Sequence, residues 1–378
     1  MLRVALNIEL AFSNATGMGR HARSMLIALQ GCARDIQFTL FHTKGYTWPP
    51  DARLTTMPAN VSVVKLPYTR KLLKLGSVTL GRPNLSRELA SHNIYHDFSA
   101  DLLNVPATTR IASLHDISIL ATPESYTIKD RLVFAATRRE LAKADKIITV
   151  SEFSKEMIQK AMGIDGRRIA VVYNGVSEHF RPITETTMLD TIRRIHRIMG
   201  PFILFYGVAN QRKNLTTLIR AFDRLSSSRS GSELLLVLCG TRGVGWKAVQ
   251  SEIENAVARH KIRCISYLPD EELVALISGA SCVVMPSLHE GFGLPVVEAM
   301  ACGTPVICSN TSAFPEVAGD AALLVSPTNT RALAAAIESV VGDPAFAQQL
   351  RAKGFERSRR FSWAESARQL LEVYRSVT

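Results

Sequence analysis

The chain has 378 residues, of which 47% are hydrophobic and 21% charged, and its formal net charge is +12. That length predicts two domains of ordinary size with ample core, and the composition is that of a soluble globular protein. No apolar run reaches the roughly 18 residues of a spanning helix, and Met1–Ile8 reads as a short strand rather than a signal peptide. The six cysteines form no CxxC pair; they read as buried thiols in a reducing cytoplasm, not as a disulfide framework or zinc site. Residues 1–180 carry +8 of the charge and residues 181–378 the other +4. A basic surface suits nucleic acid or an anionic membrane. The aromatic-and-basic signature of RNA-binding modules is missing, so a membrane surface or a phosphorylated substrate is the expected partner.

Taken in chain order, strand-like apolar runs fall at Val4–Ile8, Gln37–His42, Val61–Leu66, Arg110–Leu114, Lys146–Val150 and Ile169–Tyr173. In the second half they fall at Phe202–Tyr206, Leu234–Cys239, Cys264–Tyr267, Cys282–Met285, Val306–Cys308 and Ala322–Val325. Helix-length segments separate them, which argues for parallel sheets wrapped by helices in a doubly wound α/β arrangement. Asn93–Phe98 reads as a further short strand leading into a loop. Asn214 is a plausible N-cap for a helix whose Leu215, Leu218, Ile219 and Phe222 share one face. Ser151 and Ser362 occupy similar capping positions. The polar stretch 177–200, containing Arg181-Pro182 and Gly200-Pro201, is the expected boundary. It divides the chain into a first domain, 1–180, a linker, 181–200, a second domain, 201–360, and a last helix, 361–378.

The most informative segment is Pro286-Ser-Leu-His-Glu-Gly-Phe-Gly-Leu-Pro-Val-Val-Glu-Ala-Met-Ala-Cys-Gly-Thr-Pro305. It reads as the exit of a buried strand, a glycine loop with Gly291 and Gly293, and a helix starting at Leu294-Pro295, where proline suits the first turn. Gly303 ends that helix before the next strand. Backbone N–H groups and a positive helix end in such a loop suit an anion such as a diphosphate. Glu290 in the loop and Glu298 one turn beyond Leu294 add two carboxylates able to hold sugar or ribose hydroxyls.

This run, with two glutamates separated by seven residues, resembles the donor-sugar motif of retaining glycosyltransferases of family 4. The resemblance implies the GT-B fold: two doubly wound Rossmann-like domains facing a cleft, with the C-terminal helix crossing back to the first. It implies that Gly291, Phe292, Gly293, Leu294 and Glu298 bind the donor and that Glu290 acts at the transferred sugar. Tyr206-Gly-Val-Ala-Asn-Gln-Arg-Lys-Asn214 is similar to the family's Arg-Lys-Asn loop, in which Arg212 and Lys213 hold the donor diphosphate. Breaking a sugar–phosphate bond leaves negative charge on the departing nucleotide, and fixed cations aimed at it lower the barrier. An extra arginine found in some members is here Val208.

Gly17-Met-Gly-Arg-His-Ala22 formally fits G-x-G-x-x-A, but it stands well beyond the strand end at Ile8 and no acid caps the second strand, so a dinucleotide reading fails. It resembles instead the family's first Gly-rich loop, which makes Gly17 and Gly19 donor or acceptor contacts. His115-Asp116 leaves a strand end, where α/β folds bind ligands, and resembles the family histidine that lines the cleft near the transferred sugar. Ser151 is expected at another cleft-facing strand end, and Asn174-Gly175 makes the turn into the hinge. No Asp-x-Asp pair or metal-ligating cluster occurs; His92 and His96 stand four apart without the glutamate of a zinc helix. Neither cofactor nor metal is expected.

The expected activity is transfer of a hexose, mannose from GDP-mannose first and glucose from UDP-glucose second, to a glycan or a polyprenyl-diphosphate-linked glycan. A GT-B phosphorylase or epimerase and a non-catalytic sugar-nucleotide binder are the other classes. Thr69-Arg-Lys-Leu-Leu-Lys-Leu75 mixes basic and apolar residues as an interfacial helix would. It predicts a cytoplasmic protein, peripheral at an anionic inner membrane face, with no nucleic-acid partner.

Overall fold

The computed structural model describes residues 1–12, 17–44, 58–69, 72, 89, 91–100, 108–183, 186–226 and 231–378. Seven strands form one parallel sheet: β1 (Leu2–Asn7), β2 (Ile36–His42), β3 (Val61–Lys65), β4 (Ile94–Asp97), β5 (Thr109–Ser113), β6 (Lys146–Thr149) and β7 (Ile169–Val171). Six form a second: β8 (Phe202–Tyr206), β9 (Leu235–Cys239), β10 (Ile262–Ile265), β11 (Cys282–Met285), β12 (Val306–Ser309) and β13 (Leu323–Val325). Their orders are β3-β2-β1-β4-β5-β6-β7 and β10-β9-β8-β11-β12-β13. Each is a doubly wound sheet whose order reverses beside its first strand, between β1 and β4 and between β8 and β11. All residues of β8, β9, β11 and β12 are buried. Helices on both faces exclude water, and such strands read as unbroken aliphatic runs rather than alternating ones.

The chain divides into two compact units, one made of 1–117, 129–175 and 362–378, the other of 118–128 and 176–361. These units and the expected first domain of 1–180 differ in two places. Residues 118–128 go with the second unit, and the change of unit falls at Gly175 and Val176. The stretch expected to be a linker, 181–200, is part of the second unit and carries the helix Thr187–Ile195, whose Ile192 is buried. The last helix, Trp363–Ser376, belongs to the first unit. Its Trp363, Ala367, Leu370, Leu371 and Tyr374 are buried, and Ser362 caps it by accepting the Glu365 N–H at 3.1 Å. A Cβ on Gly175 would lie 2.2 Å from the Trp363 backbone nitrogen, so only glycine lets that helix approach.

Two smaller expectations fail. The β10 run begins two residues earlier than Cys264. Four cysteines are buried, but Cys32 and Cys264 are exposed, because one closes a surface helix and the other lies on an edge strand. Among the described residues no helix is long and apolar enough to cross a membrane. Of the segment 69–75, only Thr69 and Leu72 lie inside the described residues.

Candidate active site

The loops leaving β8 and β11 meet at the carboxyl side of the second sheet, on either side of its reversal point, where α/β sheets collect ligands. Three hydrogen bonds join them. The Leu288 N–H donates to the Arg212 carbonyl at 2.8 Å, the Arg212 guanidinium donates to the His289 carbonyl, and Asn214 Nδ2 donates to the Pro286 carbonyl at 3.1 Å. Arg212 and Lys213 sit in a single 3-10 turn, Gln211–Lys213, which Asn210 caps through the Lys213 N–H. Asn214 does not cap the following helix with its side chain, as its position suggested. It adopts the left-handed conformation at φ 56° and spends its amide on the carbonyls of Pro286 and Pro327.

Glu290 is clamped by both cations. Its Oε2 lies 2.8 Å from Arg212 Nη1 and its Oε1 2.5 Å from Lys213 Nζ, and all three side chains are nearly buried. Burial by itself raises the Glu290 carboxyl; the guanidinium and ammonium beside it outweigh that and hold it at about 2. Neither cation would tolerate this depth without a counter-charge. One carboxylate between two cations leaves an excess of positive charge, which is an anion site in waiting.

The rest of the loop follows from its glycines. Gly293 stands before the helix Leu294–Ala301 at φ 94°, and a Cβ there would lie 2.4 Å from the Phe314 ring, so no other residue fits. Phe292 packs edge to face on Phe361 at 5.4 Å. Glu298, buried on the first turns of the helix, lies 3.2 Å from the Tyr206 hydroxyl, which is also 2.8 Å from the Pro295 carbonyl. Gly291, Phe292, Gly293, Leu294, Glu290 and Glu298 thus surround one helix N-terminus, with Arg212 and Lys213 across from it. The single tyrosine proton cannot serve both acceptors at once.

The first unit gathers a second group. His115, after β5, donates Nε2–H to the Phe98 carbonyl at 3.3 Å and meets the His21 ring edge to face, centroids 4.5 Å apart. His21 is buried and donates Nδ1–H to Asn174 Oδ1 at 2.7 Å. Burial lowers both imidazoles below the ordinary histidine range, so they are neutral at physiological pH. Sequence reasoning passed over His21, although it stands two residues after Gly19 in the same loop-and-helix run. His96 is fully buried between Tyr374 and Ser113, at 2.6 and 2.9 Å, and burial holds it down at about 3. It is a core residue, as its setting in a short strand implied. Ser151 caps the helix Glu152–Met162 by accepting the Ser154 N–H at 3.0 Å, so a structural task already occupies it. Gly17 and Gly19 open the helix Gly17–Cys32, with Gly19 buried. Among the described residues no group of three His, Cys, Asp or Glu side chains converges as a metal site would.

The Glu290 clamp makes a pH prediction. Its folded carboxyl lies below the ordinary value of 4.5, so its contribution to stability is fully present above pH 4.5 and lost as the pH falls towards about 2. Acid titration followed by circular dichroism should show destabilisation steepening below pH 4.5, with a smaller slope in Glu290→Gln. Equal slopes would mean that the carboxylate is not held down.

Two clusters lie at strand ends where such sheets collect ligands, one of two cations on a carboxylate and one of neutral histidines, and comparison with known proteins gives the class, a glycosyltransferase. Residues 15–180 match the model for glycosyltransferase family 4, and residues 190–357 the model for glycosyl transferases group 1. The O-antigen chain mannosyltransferase B of Escherichia coli is 32% identical over 70% of each chain. This chain belongs to that glycosyltransferase family. The serotype-specific mannosyltransferase WbdA of Escherichia coli is 27% identical over 75% of this chain, which spans only 35% of that longer protein. The fold is GT-B. Sucrose-phosphate synthase from Thermosynechococcus elongatus superposes with a TM-score of 0.76 at 21% identity, covering 100% of this chain and 99% of that one. Anabaena HepE in complex with UDP-glucose gives 0.75 at 17% identity, covering both chains fully.

Proposed function

We propose that this protein is a retaining mannosyltransferase that moves mannose from GDP-mannose to a hydroxyl of a lipid-linked glycan. The observation that carries the reading is the Arg212–Glu290–Lys213 clamp, two nearly buried cations held to one carboxylate. As the sugar–phosphate bond breaks, the departing diphosphate gains negative charge, and Arg212 and Lys213 stabilise it where little water screens them. The acceptor oxygen attacks the anomeric carbon on the face the diphosphate leaves, and its proton passes to that phosphate. Glu298 holds hydroxyls of the donor, and His115, neutral, serves as a hydrogen-bonding contact to sugar or acceptor. The mannosyltransferase names of similar proteins support mannose. A UDP-glucose reading keeps its place because HepE was crystallised with that donor.

Titration calorimetry with GDP-mannose, UDP-glucose and ADP-glucose tests the donor, and the anomeric configuration of the product tests retention. Tighter binding of UDP-glucose than of GDP-mannose, or an inverted product, would replace the reading. Because side-chain cations neutralise the diphosphate, EDTA is expected to leave the transfer rate unchanged. A strict requirement for added Mg²⁺ or Mn²⁺ in the same assay would show that Arg212 and Lys213 do not suffice. With a lipid-linked acceptor, the protein works peripherally at the inner face of a membrane.

A further inference from the structure

The loop after β9, residues 240–245, is locked onto the loop that carries Arg212 and Lys213. The Ala209 N–H donates to the Thr241 carbonyl at 2.8 Å, the Gly243 N–H to the Ala209 carbonyl at 2.9 Å, and the Gln211 N–H to the Val244 carbonyl at 3.1 Å. Gly240 allows that approach: it stands at φ 137°, and a Cβ there would overlap the Gly207 carbonyl. Arg242, at the middle of this loop, is exposed, and its guanidinium lies over the Trp246 ring, 5.0 Å from the centroid. Trp246 opens the helix Trp246–Asn255 and packs on the core of the second unit, so the platform under Arg242 is fixed. Among the described residues no carboxylate or carbonyl takes up the Arg242 N–H groups, and the buried Trp246 Nε1–H also lacks an acceptor. Two donor-only side chains therefore stand together at the end of β9.

We propose that Arg242 reads the base of the donor nucleotide and selects guanine, donating two N–H groups to O6 and N7 of the ring. The proposal rests on the GDP-mannose reading of the donor and names the residue that enforces it. Glu298 is joined to Tyr206, the last residue of β8, and Tyr206 pairs across the ladder with Cys239, the residue before Gly240. A donor whose diphosphate lies on Arg212 and Lys213, and whose ribose lies on Glu298, sends its base away from β11. The next strand end in that direction is that of β9, about 4.8 Å further on. Guanine carries two acceptors on the edge it presents there, and a planar guanidinium fork fits both at once. Adenine sets an amino donor against the donors of Arg242, and uracil has no N7.

Titration calorimetry of the full chain with GDP, inosine diphosphate, ADP and UDP is the test. Inosine keeps O6 and N7 and loses only the 2-amino group, so its diphosphate should bind about as tightly as GDP, with ADP and UDP weaker. Arg242→Ala should weaken GDP and inosine diphosphate by about tenfold and leave ADP and UDP within about twofold. Its melting temperature should not change, since the side chain is exposed. Arg242→Lys keeps the charge without the fork and should lose nearly as much. Equal loss for all four nucleotides would make Arg242 a counter-charge for phosphate and overturn the proposal. A GDP preference that survives intact in Arg242→Ala or Arg242→Lys overturns it alone, whereas a wild-type protein that binds ADP or UDP more tightly than GDP removes the guanosine donor and this proposal with it.

Discussion

Arg212→Ala is expected to lower kcat/KM for sugar transfer by roughly 10²–10³-fold with the fold intact. The variant keeps Lys213 and Glu290 paired at 2.5 Å, so no buried charge is left alone. What disappears is one of two fixed cations at the place where the leaving diphosphate gains charge. Removing one such fixed donor costs roughly 3–4 kcal/mol, because water cannot reorganise to replace it. Steady-state kinetics with a folded variant decides the matter, and kinetics within twofold of wild type would remove Arg212 from the site.

Glu290→Gln should act first on stability. The amide is close to isosteric but leaves Arg212 and Lys213 nearly buried and facing each other without a counter-charge. Breaking a buried ion pair from one side costs roughly 3–5 kcal/mol. In a unit of this size that corresponds to a fall in Tm of roughly 6–20 °C. A nucleoside diphosphate supplies the missing negative charge, so it should raise the Tm of this variant more than that of the wild type. Scanning calorimetry with and without GDP measures both effects. A Tm shift of under two degrees, or equal gains from the nucleotide, would contradict the clamp.

The sheets were legible because their strands are buried on both faces and therefore spell continuous apolar runs, as Phe202–Tyr206 and Cys282–Met285 do. The loop 286–293 was legible for a related reason: Gly293 holds a backbone angle and a contact with Phe314 that no other residue permits. What the sequence hid was the pairing of side chains far apart in the chain. Glu290 and Lys213, 77 positions apart, read separately as a sugar ligand and a phosphate ligand, and in the folded chain they hold each other. Asn214 has the composition of a cap but a left-handed backbone, which local pattern cannot reveal. His21 lay in a run read for its glycines.

The C-terminal helix sets a schedule for the newborn chain. Tyr173 and Ser366, hydrogen-bonded in the finished first unit, are 193 positions apart, and His96 and Tyr374 are 278 apart. At ordinary elongation rates the first unit therefore waits roughly 10–40 s on the ribosome with that side uncovered. The groove that Trp363, Leu370, Leu371 and Tyr374 will fill is then wet, and His96 lacks its tyrosine. A stop codon only a few residues into this last helix would therefore remove more than a tail. It would release a protein whose final unit to be translated is whole while its first remains unfinished, the reverse of the usual order in which nascent domains close.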